Sequence, residues 1–182
     1  MSLKIHIGCG QVYIDGYINV DFSPDSRADI MDDAVLMEKF RNNSADEIYA
    51  CNVLEHLGRF RYKPALKRWY DILKPNGRLK LSVPDFRALC EYYLETGDLN
   101  SLYPALYAGQ DTPWNFHYWC WDLRTLEQEL QDVGFRNIQR WEDHPVRDWS
   151  INYVPYRKNG IQSPDDEWFR GKFIALNLEG IK

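Results

Sequence analysis

The sequence predicts one α/β domain built on an open, mostly parallel sheet, and three observations lead there. A short alternating strand, Lys4 to Ile7, runs directly into Gly8-Cys9-Gly10. Glycines at i and i+2 let the backbone turn tightly and let a ligand approach where a Cβ would block it. A second strand, Tyr17 to Val20, closes on Asp21, a carboxylate able to accept both hydroxyls of a ribose at the carboxyl edge of a sheet. Beyond it, strand-like and helix-like segments alternate along the chain.

Each element follows from local chemistry. Only seven residues, Gln11 to Tyr17, follow Gly10 before the second strand is under way, so the first crossover has a short helix or none. Ala28 to Asp32 is a brief third strand. Ala34 to Phe40 reads as a short helix with Leu36, Met37 and Phe40 on one face, which Asp33 or Asp32 would cap. Glu47 to Val53 is apolar enough for a buried central strand, and Glu55 and His56 follow at its strand-to-helix turn. Arg59 to Arg68 carries five basic residues and no acid; most are expected on a solvated helix face, with contact to an anionic substrate as the other reading. Pro64 suits the first turn of that helix, and Leu66, Trp69, Tyr70 and Leu73 recur at helical spacing. Lys74-Pro75-Asn76-Gly77 ends it, and Arg78 to Val83 is the fifth strand.

Phe86, Leu89, Cys90, Tyr93 and Leu94 mark an amphipathic helix that Thr96-Gly97-Asp98 stops, and Asn100 to Ala108 is a candidate for another. Trp114 to Asp122 is the densest aromatic stretch. It leads into a helix with Asp122 as candidate N-cap, Leu123, Leu126, Leu130 and Val133 inward, and Gly134 as terminator. Phe135 to Trp141 and Lys172 to Leu178 supply the sixth and seventh strands. Residues 142–171 between them, with Pro145, Pro155 and Pro164, read as a long ordered excursion.

Composition bounds the function. With 182 residues, 45% of them hydrophobic, and no run of 18 apolar residues, the expectation is one domain without a membrane span. No basic segment followed by an apolar one opens the chain, so the cytoplasm is the expected location. Cys9, Cys51, Cys90 and Cys120 are widely spaced and form no CxxC pair, which argues against a zinc site and gives no disulfide framework. A net charge of −5 gives no support to a nucleic-acid partner.

Spacing narrows the ligand. A dinucleotide fingerprint would need its third glycine at Tyr13 and its acid about 20 residues on, whereas Asp21 comes 13 residues after Gly8. NAD is disfavoured. The GCG turn, the NVD strand end, NVLEHL and LKPNG in this order resemble the class I S-adenosylmethionine-dependent methyltransferases. In particular they are similar to small methyltransferases often associated with cell-surface polysaccharide synthesis. Two positions depart from the family pattern: Val12 stands at its third glycine and His6 at its first-strand acid.

The resemblance implies a Rossmann-like seven-stranded sheet, mostly parallel with an antiparallel final strand, helices on both faces, and S-adenosyl-L-methionine as cofactor. It implies Gly8, Cys9 and Gly10 along the methionine moiety, Asp21 beside Phe22 at the ribose, Asp32 or its neighbour Asp33 at the adenine, and Asn52 and Val53 near the reactive end. It also places the acceptor against the connection after the fifth strand. His117 in that connection is the first candidate for a general base and His56 the second. In similar quinone-directed O-methyltransferases a Glu-His pair at this place helps hold a divalent metal together with an acid three residues earlier. Here that position is Asn52, so no metal is expected. The expected partner is a small-molecule or carbohydrate acceptor. Two alternatives stand beside this reading: a degenerate cofactor-binding domain without catalysis, and an NAD-dependent sugar enzyme.

Overall fold

A computed structural model describes residues 2–141 and 175–182. Seven strands form one sheet: β1 (Lys4–Ile7), β2 (Ile18–Asp21), β3 (Ile30–Met31), β4 (Ala45–Cys51), β5 (Leu73–Pro84), β6 (Arg136–Arg140) and β7 (Ala175–Ile181). Their spatial order is β3-β2-β1-β4-β5-β7-β6. The pairs from β3 across to β5 are parallel, and β7 runs antiparallel to both β5 and β6. This is the Rossmann-like mixed sheet the sequence implies. Strand order reverses between β1 and β4, and in open α/β sheets that switch point opens a ligand crevice outside the strands' carboxyl ends.

Alternation along the strands separates two environments. Ile5 and Ile7 of β1, Ile48 and Ala50 of β4, and Leu79, Leu81 and Val83 of β5 enter the main core, where Leu66 and Trp69 of helix α1 (Tyr62–Ile72) and Leu126 and Leu130 of helix α4 (Leu123–Val133) meet them. The other face is built differently. Ile14, Tyr49 and Trp141 form a small cluster there, beside a buried His6 to Asn19 hydrogen bond of 3.0 Å. The Asn19 side chain also holds the 11–17 connection in place: its Oδ1 accepts from Ile14 N at 2.9 Å and its Nδ2 donates to the carbonyls of Ile14 and Tyr17. That connection contains turns and no helix, as its length requires.

Several elements depart from their expected form. The segment 34–40 is a series of turns, not a helix. Met37 sits in the left-handed region at φ 43°, Asp33 accepts from Val35 N and Leu36 N, and Arg68 donates to the carbonyls of Leu36 and Met37. These bonds satisfy the loop's polar groups without helical geometry. The Lys74–Gly77 segment belongs to β5 and does not end a helix outside the sheet; a register break beside Ala45 accommodates it. The third strand contracts to two residues. Asn100 to Ala108 splits into a 3₁₀ turn (Asn100–Leu102) and helix α3 (Tyr103–Tyr107), while the helix after the fifth strand is α2 (Phe86–Thr96). The seventh strand continues past Leu178 to Ile181. Lys172 and the 142–171 excursion lie outside the described residues. No helix among those described is long and apolar enough to cross a membrane.

Candidate active site

Gly8 and Gly10 shape the edge of the crevice for different reasons. A Cβ on Gly8 would lie 2.3 Å from Val53 Cγ2, and its φ is 68°. Gly8 is therefore glycine because β1 and the end of β4 approach closely there. At Gly10 a Cβ would meet nothing within 4 Å, so that position faces open space. Its N–H donates to Asp21 Oδ2 at 2.8 Å, and Ser23 N donates to Oδ1 at 2.9 Å. Two amides thus orient the carboxylate that ends β2.

A cleft of about 640 Å³ opens here. Gly8, Gly10, Asp21, Phe22, Asp32, Asp33, Asn52, Val53 and His56 all line it, and so do Trp114 and Tyr118 from the aromatic stretch. Cys9 does not. It is buried, and burial, reinforced by the Asp21 and Asp29 carboxylates, pushes its thiol up to about 12. Its contribution to the edge is backbone. Asn52 takes φ 51°, a conformation asparagine tolerates better than most residues. This turns the chain out of β4 and into the 3₁₀ turn Leu54–His56.

Asp32 and Asp33 both serve the loop that follows them. Asp32 accepts from Lys39 N at 2.9 Å. Asp33 pairs with Arg61 at 2.6 Å; burial opposes its charge, but the Val35 amide and Arg61 hold its carboxyl below the usual range. The basic stretch is largely tied down in this way, with Lys63 on Glu129 at 2.9 Å and Arg68 on the 36–40 carbonyls.

The aromatic stretch divides between core and cleft. Trp121 is buried against Tyr62 and forms a bridge with Asp85 at the end of β5. Trp114 meets Phe22 edge-on, ring centroids 5.4 Å apart, so the stretch reaches across to the β2 edge. Tyr118 N donates to Glu55 O at 2.8 Å, strapping the stretch to the 3₁₀ turn. His117 is thereby brought against His56, with ring centroids 4.6 Å apart. Only His56 of the two lines the cleft. His117 Nδ1 bonds to Ala105 O at 2.8 Å. Burial, then His117, push His56 down to about 4 against the carbonyls of Trp114 and Phe116. Burial lowers His117 too, against the Ala105 carbonyl. The His56 imidazole is neutral at neutral pH. Burial pushes the Glu55 carboxyl up to about 8.

Sequence reasoning missed other lining residues, among them Gln11, Asp25, Ser26, Arg61 and Asp111. Gln11 and Arg61 sit next to recognised motifs. Asp25, Ser26 and Asp111 lie in loops with no motif spacing to mark them.

A glycine edge at the switch point and an oriented carboxylate at the end of the second strand form a ligand crevice at the carboxyl edge of the sheet. Residues 7–140 match a family model described as a methyltransferase domain. The chain belongs to that family. Solved structures similar in fold include a SAM-dependent methyltransferase from Archaeoglobus fulgidus, at 17% identity and TM-score 0.59 over 100% of this chain and 86% of that one. A complex between the Haloferax volcanii Trm112 methyltransferase activator and a putative methyltransferase matches at 14% and 0.63, covering 99% and 81%. A possible histamine N-methyltransferase from Thermotoga maritima matches at 16% and 0.56, covering 100% and 83%. No curated protein matches the chain.

Proposed function

We propose that the chain transfers a methyl group to a hydroxyl of a small-molecule or carbohydrate acceptor, of the kind handled by polysaccharide-associated methyltransferases. The observation that carries this reading is one cleft lined by two unlike sets of residues: Gly8, Gly10 and the Asp21 carboxylate, and Trp114, Tyr118 and His56. The first set fits the cofactor, S-adenosylmethionine. Gly10 leaves open space for the methionine moiety, Asp21 accepts from the ribose hydroxyls, Asp32 and Asp33 border the adenine, and Asn52 and Val53 stand near the reactive end. Cys9 acts through its backbone.

The cofactor supplies an electrophilic methyl carbon that an acceptor oxygen displaces in line. The chain's own part is to align the acceptor with that carbon and exclude water. Trp114 and Tyr118, each about half exposed, offer stacking surfaces for a sugar ring or a planar acceptor and π faces for positive charge. His56, neutral and on the cleft wall, is placed to take the hydroxyl proton, and His117 packs behind it.

Calorimetric titration with S-adenosylhomocysteine tests the assignment. Asp21→Ala removes two charge-assisted hydrogen bonds worth about 1.5–3 kcal/mol each, so affinity should fall at least about tenfold. Unchanged affinity in a folded Asp21→Ala protein would remove Asp21 from the cofactor site.

A further inference from the structure

Beside the cleft the fold gathers three ionisable side chains that the sequence separates. Glu55, His56 and His117 each present one possible ligand atom, and these atoms lie within 4.8 Å of one another. Glu55 is fully buried, and neither of its carboxylate oxygens has a hydrogen-bond partner among the described residues. Buried carboxylates are ordinarily paired, hydrogen-bonded or coordinated to a cation, because burying one bare is costly.

The surroundings hold these side chains in place. Tyr118 N to Glu55 O, at 2.8 Å, fixes the aromatic stretch over the 3₁₀ turn. His117 Nδ1 meets the Ala105 carbonyl at 2.8 Å; because a carbonyl only accepts, the proton sits on Nδ1 and the ring's lone pair on Nε2. Metal-binding histidines are oriented in this way, with the second ring nitrogen donating to a carbonyl or carboxylate. Asn52 has no charge to offer a metal, but the fold brings a different third candidate to the pair: His117, about sixty residues downstream of Glu55 and His56.

We propose that Glu55, His56 and His117 bind a divalent transition-metal ion of the zinc class. One carboxylate oxygen with two imidazole nitrogens suits zinc and its first-row neighbours, and it is too poor in oxygen for calcium or magnesium. Ligand distances of about 2.0–2.2 Å require the three atoms, which lie within 4.8 Å of one another, to draw closer together around the ion. Three protein ligands leave a coordination position open, and His56 lines the cleft. An ion held in part by His56 would therefore sit at the edge of the cleft. The ion's role, though not the site itself, rests on the acceptor reading above: an acceptor hydroxyl on the open position releases its proton to solvent, and His56 serves as a ligand instead of a base.

The test is titration of the chelator-treated full chain with cobalt(II), read by its visible absorption and by metal analysis, with circular dichroism as the control for folding. One cobalt per chain with the intense absorption of a four-coordinate site is expected, displaced by zinc. Glu55→Gln, nearly isosteric, and His117→Ala should each weaken cobalt binding by at least about a hundredfold, beyond the 10- to 100-fold loss seen for outer-shell partners. Absence of stoichiometric cobalt in the folded wild type overturns the site, as does cobalt binding that survives both variants. The Asp21→Ala titration reads the methyltransferase assignment separately. Failure of cobalt binding alongside a normal Asp21 effect rejects the metal and leaves the proposed function standing; cobalt binding alongside a silent Asp21 does the reverse.

Discussion

Gly8 and Gly10 look equivalent in the sequence, and the structure separates them. A methyl group at Gly8 would collide with Val53 at 2.3 Å on a backbone at φ 68°, whereas one at Gly10, φ 49°, enters open space. Gly8→Ala should therefore destabilise the fold by about 2–4 kcal/mol, from overpacking together with the left-handed penalty. Gly10→Ala should cost only about 1–2 kcal/mol of stability, the left-handed penalty alone, and should mainly weaken S-adenosylhomocysteine binding. Urea unfolding beside calorimetry measures both effects, and equal stability losses would refute the distinction. The glycine turn and Asp21 were legible because their chemistry is local: strand, turn and acid lie within 18 residues, Lys4 to Asp21. The neighbours that give each glycine its reason were not, since Val53 comes from a different strand end.

At the scale of elements, caps were more reliable than periodicity. Asp122 accepts from Thr125 N at 2.8 Å and Thr125 answers the Asp122 amide at 3.1 Å, a reciprocal cap on α4; Gly134 ends the helix at φ 118°. Asp122→Ala should lower stability by about 0.5–2 kcal/mol, measurable as a shift in the urea midpoint at constant slope. An unchanged midpoint would show that α4 is held by packing alone. The apolar spacing of Leu36, Met37 and Phe40 predicts a helix in the same way, yet Leu36 is exposed while Met37 and Phe40 are buried. Three apolar residues fit a buried turn as well as a helix face. What decides between them is a distant guanidinium, Arg68, bonding the loop's carbonyls. The Lys74–Gly77 punctuation is ambiguous for a similar reason, because a bulged strand tolerates the same breaker residues as a helix end.

Across the whole molecule, the sheet is closed by contacts between chain segments far apart in sequence. β7 slots between β5 and β6, and Ser82 Oγ bonds Asn177 Oδ1 at 2.7 Å in the buried interior, 95 residues apart. A double-mutant cycle on Ser82→Ala and Asn177→Ala should give a coupling of about 0.5–1.5 kcal/mol; additive losses would show that the bond contributes nothing beyond packing. The sequence by itself determined the class of sheet, the glycine turn and the acid that ends the second strand, and the helix caps, because alternation, turn chemistry and capping act over a few residues and leave a local record. Only the tertiary structure decided that Trp121 enters the core while Trp114 crosses to Phe22. It alone decided that His56 and not His117 faces the cleft, and that Glu55 meets two imidazoles. Those outcomes depend on which distant surfaces exclude water together and which buried polar groups they strand. A chain read in order carries no mark of either.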